Sequence, residues 1–265
     1  MERTEHDTLV ATTQSGLPPF ALYRPDSRES LQTALAEAPE PVAFYAGGTD
    51  IFAAFREGLR PGSLIWLASY PDLDGIVIAD GSLRLGAGVT HDAACSDPAL
   101  DAVPGLRAAW EKIATARIRR HATLGGNLMA RRERYELSIL LGALGAMALL
   151  TDGTGSTRTA VNDLWDRPSD APPVLLERVE IPLTGTPRID YARDLRPLMT
   201  QALVRRDDGD TVAVATQWVR PWITPATSTT PLADLPAAFD TPEASRDWIS
   251  AAGRALLSRQ RDRLA

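Results

Sequence analysis

The sequence predicts an α+β fold, with two α/β subdomains in succession and a C-terminal α+β subdomain carrying a three-stranded antiparallel sheet. Three observations predict it. Short apolar strands alternate with amphipathic helices over residues 20–75. The alternation continues over 76–183, where it gains a hairpin signal and a long buried helix. Beyond Pro187, three strand-like runs follow one another without a helix between them, and a helix closes the chain.

Taken in order, residues 1–19 read as a flexible arm ending at Leu17-Pro18-Pro19. Ser27 to Glu37 has Leu31, Ala34, Leu35 and Ala38 on one face, a short helix with serine near its start. Pro41 to Tyr45 is a strand that runs into Gly47-Gly48. A helix follows from Asp50, with Ile51, Ala54 and Phe55 inward and Gly58 and Pro61 as stops. Ser63 to Ala68 is the next strand. Ile76–Ala79 and Leu83–Ala87 read as a hairpin about Asp80-Gly81. Leu106, Ala109, Trp110 and Ile113 mark a helix, and Arg117 to Arg120 a basic connection. Tyr135 to Leu144 is a buried helix; Ala146 to Leu150 and Val174 to Ile181 are buried strands. After a boundary near residue 183 come strands at Arg188–Arg193, Met199–Arg206 and Thr211–Val219. A Pro/Thr/Ala-rich loop covers Thr224 to Thr241, and a final helix is capped by Thr241 with Pro242 in its first turn. The six tryptophans are expected in the core.

Composition narrows the chemistry. The 265 residues are 44% apolar and 23% charged, the profile of an ordinary globular protein. A net charge of −6 argues against a nucleic-acid partner, and no apolar run approaches the length of a membrane helix. The polar, acidic start is unlike a signal peptide, so a cytoplasmic location is expected. Cys95 stands alone, which leaves no disulfide and no iron–sulfur cluster within the chain. His6, His91 and His121 are far apart and lack ligand-spaced companions, so no metal site is expected. Lys112 is the sole lysine, with no phosphate-loop motif around it. Covalent catalysis through cysteine or lysine has little material, and no catalytic residue is assigned.

Two glycine pairs remain. Ala46-Gly47-Gly48-Thr49-Asp50 joins a strand to a helix start, where free N–H groups suit a pyrophosphate and Asp50 could cap the helix or accept from a sugar hydroxyl. Thr123-Leu124-Gly125-Gly126-Asn127 lies between the basic connection and a buried helix, a wall suited to a flat ring or a phosphate. Each alone is equally well explained as a tight turn; two in one chain point to two walls of one cleft, for a flavin dinucleotide. Gly86-Ala87-Gly88 lacks the third glycine of a Rossmann fingerprint.

The runs Tyr45–Ile51, Leu83–His91 and Ile113–Leu128 resemble the FAD-binding medium subunit of the molybdenum hydroxylases, the carbon-monoxide dehydrogenase and xanthine dehydrogenase type, over roughly residues 20–220. The resemblance implies a PCMH-type FAD-binding domain at 20–183 and a C-terminal subdomain at 184–265. It implies FAD as cofactor, with Ala46, Gly47, Gly48, Thr49 and Asp50 on the pyrophosphate. Thr123, Gly125, Gly126 and Asn127 would lie along the flavin and ribityl chain, with Ile113 close to the cofactor and Leu176 at the adenine or ring region. Thr90-His91 matches a pair common in the family, Thr90 fitting a helix cap. Relatives carry an aspartate for the ribityl chain where this sequence has Glu136, preceded by the unusual run Arg131-Arg132-Glu133-Arg134-Tyr135. Those arginines could neutralise a pyrophosphate, bind an acidic partner or form a solvated face.

The implied role is an electron-transfer flavoprotein subunit. A large molybdenum-cofactor subunit and a small [2Fe–2S] subunit would be its partners, and NAD+, a quinone or dioxygen its acceptor. A stand-alone FAD-dependent oxidase or dehydrogenase would need a base, for which Tyr135, Glu136 and His121 are the candidates. A flavin-free scaffold subunit is the third reading.

Overall fold

Three sheets follow one another along the chain in the computed structural model, which describes residues 18–71, 73–193, 198–226 and 232–265. The expected arm at 1–19 lies, up to residue 17, outside the described residues.

In the first unit, Ala21–Tyr23 (β1) precedes the helix Arg28–Glu37 (α1). Ser27 caps α1 with a reciprocal pair: Ser30 N donates to Ser27 Oγ at 3.1 Å and Ser27 N donates to Ser30 Oγ at 3.0 Å. Val42–Tyr45 (β2), Ile51–Arg56 (α2) and Ser63–Trp66 (β3) complete a parallel sheet in the order β1–β3–β2. β2 and β3 flank α2 as the β-loop-α-β pattern requires. β1 escapes periodicity because it has only three residues.

The second unit opens with the hairpin Ile76–Ala79 (β4) and Ser82–Gly86 (β5). Asp80 and Gly81 have φ of 49° and 70°, the left-handed pair of a two-residue turn whose twist matches the strands. The helical segments His91–Ser96 (α3), Leu106–Trp110 (α4), Ala116–Arg119 (α5), Leu124–Met129 (α6) and Leu137–Ala143 (α7) come next. Met147–Thr151 (β6), Ser156–Ala160 (β7) and Leu175–Pro182 (β8) then complete an antiparallel sheet in the order β4–β5–β8–β6–β7. β7 is polar and exposed, so it carries no apolar alternation, and its pairing with β6 is what makes it a strand.

The third unit holds Arg188–Ala192 (β9), Thr200–Arg206 (β10) and Gly209–Ala215 (β11), the expected antiparallel strands. A fourth, Trp222–Pro225 (β12), pairs with β11 at the start of the segment expected to be loop. Its Pro225 falls at the edge of the sheet, where no ladder donor is needed. One face of this sheet, with Tyr191, Ala202, Val204 and Ala213, joins the core of the second unit. The other, with Leu203, Val212 and Val214, packs with Ile249 and Leu257 of the last helix, Arg246–Arg263 (α8). That helix begins later than expected. Ser245 is the cap, and Thr241 closes a local turn by accepting from Ala244 N at 3.3 Å. The tryptophans also divide: Trp110 is fully buried, whereas Trp218 and Trp248 are exposed. Trp248, in the first turn of α8, projects away from the sheet that Ile249 packs against.

Candidate functional site

A cleft of about 1040 Å3 is lined by both of the first two units, at the upper end of the range for ligand sites. Ala46, Gly47, Gly48, Thr49 and Asp50 form one wall, and Thr123, Gly125, Gly126 and Asn127 another; Ile113, Glu136 and Leu176 also line it. The structure thus brings to one cavity every residue that the resemblance implies at the cofactor.

The two walls are built differently. In the β2–α2 loop, Gly48 has φ 79°, and a Cβ at Gly47 would overlap the His121 carbonyl, so the loop rests backbone to backbone on the approach to the second motif. Among the described residues no hydrogen bond takes up the backbone N–H groups of Gly47, Gly48, Thr49, Asp50 or Ile51. Unpaired donors at a wall are what an anion would satisfy.

The second motif, expected as a loop ahead of a helix, is itself the first turn of α6. Thr123 is its cap, accepting from Gly126 N at 3.1 Å. Leu124 N donates to Val89 O at 2.9 Å and Gly125 N to Ala87 O at 2.8 Å, so the leading donors of this helix are already used within the chain. Gly125 is required by packing, because a Cβ there would meet Ala87 at 2.9 Å. Gly126 is exposed, and the buried Asn127 Oδ1 has no hydrogen-bond donor among the described residues. Thr90 caps α3, as its sequence context allows, by accepting from Ala93 N at 3.1 Å.

Electrostatics explain the unusual basic run. Asp50 sits at the cap position of α2 but makes no capping bond. Its Oδ1 accepts from Arg132 Nε at 2.5 Å and from the Tyr135 hydroxyl at 2.7 Å, and the Arg132 guanidinium also reaches Glu57 Oε2 at 2.8 Å. Arg132 is therefore held by carboxylates of the first unit rather than by solvent. The Glu57 carboxyl is lowered from its ordinary range, first by its hydrogen bond to Arg132. Burial and the bond to Asp50 push the Tyr135 hydroxyl up to about 12. Arg131, at φ 46°, donates to the Arg167 carbonyl and ties the α6–α7 connection to the Pro-rich segment that lines the cleft.

Glu136 is 8% exposed, and burial raises its carboxyl above the ordinary range. Its Oε1 lies 3.0 Å from Nε of Arg193, a cleft residue just after β9 that no local pattern marks. Of the three candidate bases, Tyr135 and Glu136 are thus already engaged, and His121 stands exposed at the cleft. His91 is structural: its Nδ1 accepts from Trp110 Nε1 at 2.7 Å, and burial lowers its imidazole to about 4. Cys95 is half-buried rather than fully enclosed.

Residues 18–184 match the family model described as the FAD binding domain in molybdopterin dehydrogenase. The chain belongs to this family. The Escherichia coli (strain K12) protein XdhB, named as a xanthine dehydrogenase FAD-binding subunit, is 36% identical over 97 residues. That alignment covers 36% of this chain and 33% of XdhB. Carbon-monoxide dehydrogenase of Oligotropha carboxidovorans superposes with a TM-score of 0.77 at 21% identity, over 94% of this chain and 98% of that one. The enzyme of Hydrogenophaga pseudoflava gives 0.77 at 18% over the same shares. Quinoline 2-oxidoreductase of Pseudomonas putida 86 gives 0.73 at 21%, over 93% and 96%. At these identities the structures establish a shared fold. No helix of the described residues is long and apolar enough to cross a membrane.

Proposed function

We propose that the chain is the FAD-bearing electron-transfer subunit of a molybdenum hydroxylase complex. The observation that carries this is the row of unpartnered N–H groups from Gly47 to Ile51, on the wall of the large cleft within the FAD-binding family match. The residues present fit the cofactor. The Gly47–Ile51 amides offer a pyrophosphate its donors, and Thr49 adds a hydroxyl. Thr123, Gly125, Gly126 and Asn127 flank the flavin and ribityl chain, with the orphaned Asn127 Oδ1 available to a hydroxyl or ring N–H donor. Ala46, Ile113 and Leu176 supply apolar surface, the last two from the core, and Glu136 offers carboxylate oxygens to ribityl hydroxyls.

Bound FAD supplies redox chemistry that no side chain here can perform. The protein's own part is to bind, orient and shield. The lone Cys95 leaves this chain without the thiolates for an iron–sulfur cluster, so the electrons must come from partners, a molybdenum subunit and a [2Fe–2S] subunit. NAD+, a quinone or dioxygen is the class of acceptor.

The test is the visible spectrum of the purified chain, alone and after incubation with FAD. Flavin absorbance that stays with the protein on gel filtration, with co-purification of molybdenum and iron–sulfur subunits, is the expected result. A colourless chain that ignores added FAD would overturn the reading. Turnover of a substrate by the isolated flavoprotein would favour a stand-alone enzyme.

A further inference from the structure

Asp50 belongs to the first glycine motif, yet its carboxylate is fixed by residues of the opposite unit. Arg132 Nε and the Tyr135 hydroxyl both bond to Oδ1, at 2.5 Å and 2.7 Å. Among the described residues nothing donates to Oδ2, although Asp50 lines the cleft with its side chain 25% exposed. Two donors on one oxygen fix the plane of the carboxylate and leave the other oxygen as a directed acceptor. The donors are themselves held. Arg132 is 18% exposed and is anchored on its far side by Glu57, and Tyr135 N donates to Arg132 O at 2.8 Å in a tight turn. Arg131 fixes the start of that turn through the Arg167 carbonyl.

Resting on the FAD reading above, we propose that Arg132 and Tyr135 are positioning residues that present Asp50 Oδ2 to a sugar-chain hydroxyl of the bound dinucleotide and so slow its release. A hydroxyl donating to a preoriented carboxylate makes a charge-assisted bond, stronger than a neutral one and free of the entropy of ordering the acceptor. The geometry also explains why the carboxylate does not cap α2: its cap-facing role is given up to the donors across the cleft. Glu57 lies outside the cleft lining and holds Arg132 at 2.8 Å, with Arg134 farther off at 3.8 Å.

The full-length chain is loaded with FAD, and release is followed by recovery of flavin fluorescence on dilution. Arg132→Met and Tyr135→Phe are expected to release FAD faster, on the order of tenfold for the former and less for the latter. Asp50→Asn is expected to match Arg132→Met, and the double variant Arg132→Met/Asp50→Asn to release no faster than Asp50→Asn alone. Glu57→Gln, which weakens the far-side anchor of the same guanidinium but leaves its Nε on Asp50 Oδ1, is expected to release FAD faster than wild type but by less than Arg132→Met. A wild-type rate for Arg132→Met and Tyr135→Phe overturns the proposal. So does additivity in the double variant, which would mean that Arg132 acts through its charge and not through Asp50. An effect of Glu57→Gln equal to that of Arg132→Met would do the same, because Glu57 does not touch Asp50 and the effect would then lie with its own pairs to Arg132 and Arg134. If Arg132→Met fails to fold, Tyr135→Phe and Asp50→Asn, paired in the same cycle, decide it, because each changes only one polar group. Failure of the FAD reading is distinct: the wild-type chain itself would then bind no flavin.

Discussion

Glu136 and Arg193 form an ion pair at 3.0 Å across the junction between the second unit and the four-stranded sheet, with side chains 10% and 22% exposed. The Arg193 guanidinium also donates from Nη1 to the Lys112 carbonyl at 2.7 Å, so one residue ties β9 to both the cleft and the segment after α4. A carboxylate this deeply enclosed depends on that cation for compensation.

Removing the cation should therefore cost more than removing the pair. Arg193→Met leaves a buried carboxylate alone and is expected to destabilise by about 3 kcal/mol, with much of the loss recovered in Arg193→Met/Glu136→Gln. The sign with pH follows from the raised carboxyl of Glu136. The folded chain holds that proton more tightly than the unfolded chain, so stability falls as pH rises from the ordinary carboxyl range to the raised value. Arg193→Met should steepen that fall and Glu136→Gln abolish it, as read from urea midpoints across the acidic range.

His91 has the opposite sign. Its imidazole, lowered to about 4 by burial and then by Arg119, accepts the Trp110 indole N–H at Nδ1. The unfolded chain binds the proton first, so the contribution is fully present above the ordinary imidazole value. It is lost as pH falls from there toward 4. The loss amounts to about 3 kcal/mol. His91→Gln, which keeps an acceptor but does not titrate, is expected to flatten this acid limb in urea melts, whatever its effect on stability at neutral pH.

Burial pushes the Cys95 thiol up to about 11 from 9.0, with the Glu111 carboxylate adding to the effect. The thiolate fraction near neutral pH is then about a hundredfold below that of an ordinary cysteine. Labelling of the native chain by a disulfide reagent should be slower than that of the urea-unfolded chain by at least this factor. Comparable rates would show that the site opens readily.

How much was legible follows from the range of each interaction. The β2–loop–α2–β3 unit and the β4–β5 hairpin were readable because their signals are local: alternation, a glycine stop, and an Asp-Gly turn. β1, β7 and β12 were not, since a three-residue strand, a polar strand and a strand ending in proline are defined by their neighbours alone. The glycine pairs line one cavity. That Gly125 is dictated by Ala87 and Gly47 by His121 is a matter of tertiary contact. The basic run at Arg131–Arg134 was visible as an oddity, but its explanation lay some 80 residues away, in Asp50. Arg193 carried no sequence signal, because its importance comes only from the burial of Glu136.

The glycines separate folding from binding. A methyl at Gly47 would overlap the His121 carbonyl, and both partners are backbone, so neither can turn aside. Gly47→Ala is expected to cost about 2 kcal/mol in stability and to weaken FAD binding, because the loop must lift off the second wall. Gly126 is different. It is exposed at the cleft, its φ is not in the left-handed region, and a Cβ would meet only Thr123 Oγ1 at 3.0 Å. Gly126→Val should fold with a urea midpoint near wild type, since the helix gains from losing glycine roughly what the crowded cap loses. It should nevertheless lose FAD, because the added side chain occupies cleft space. Equal losses of stability and flavin in both variants would mean that the second motif serves the fold alone.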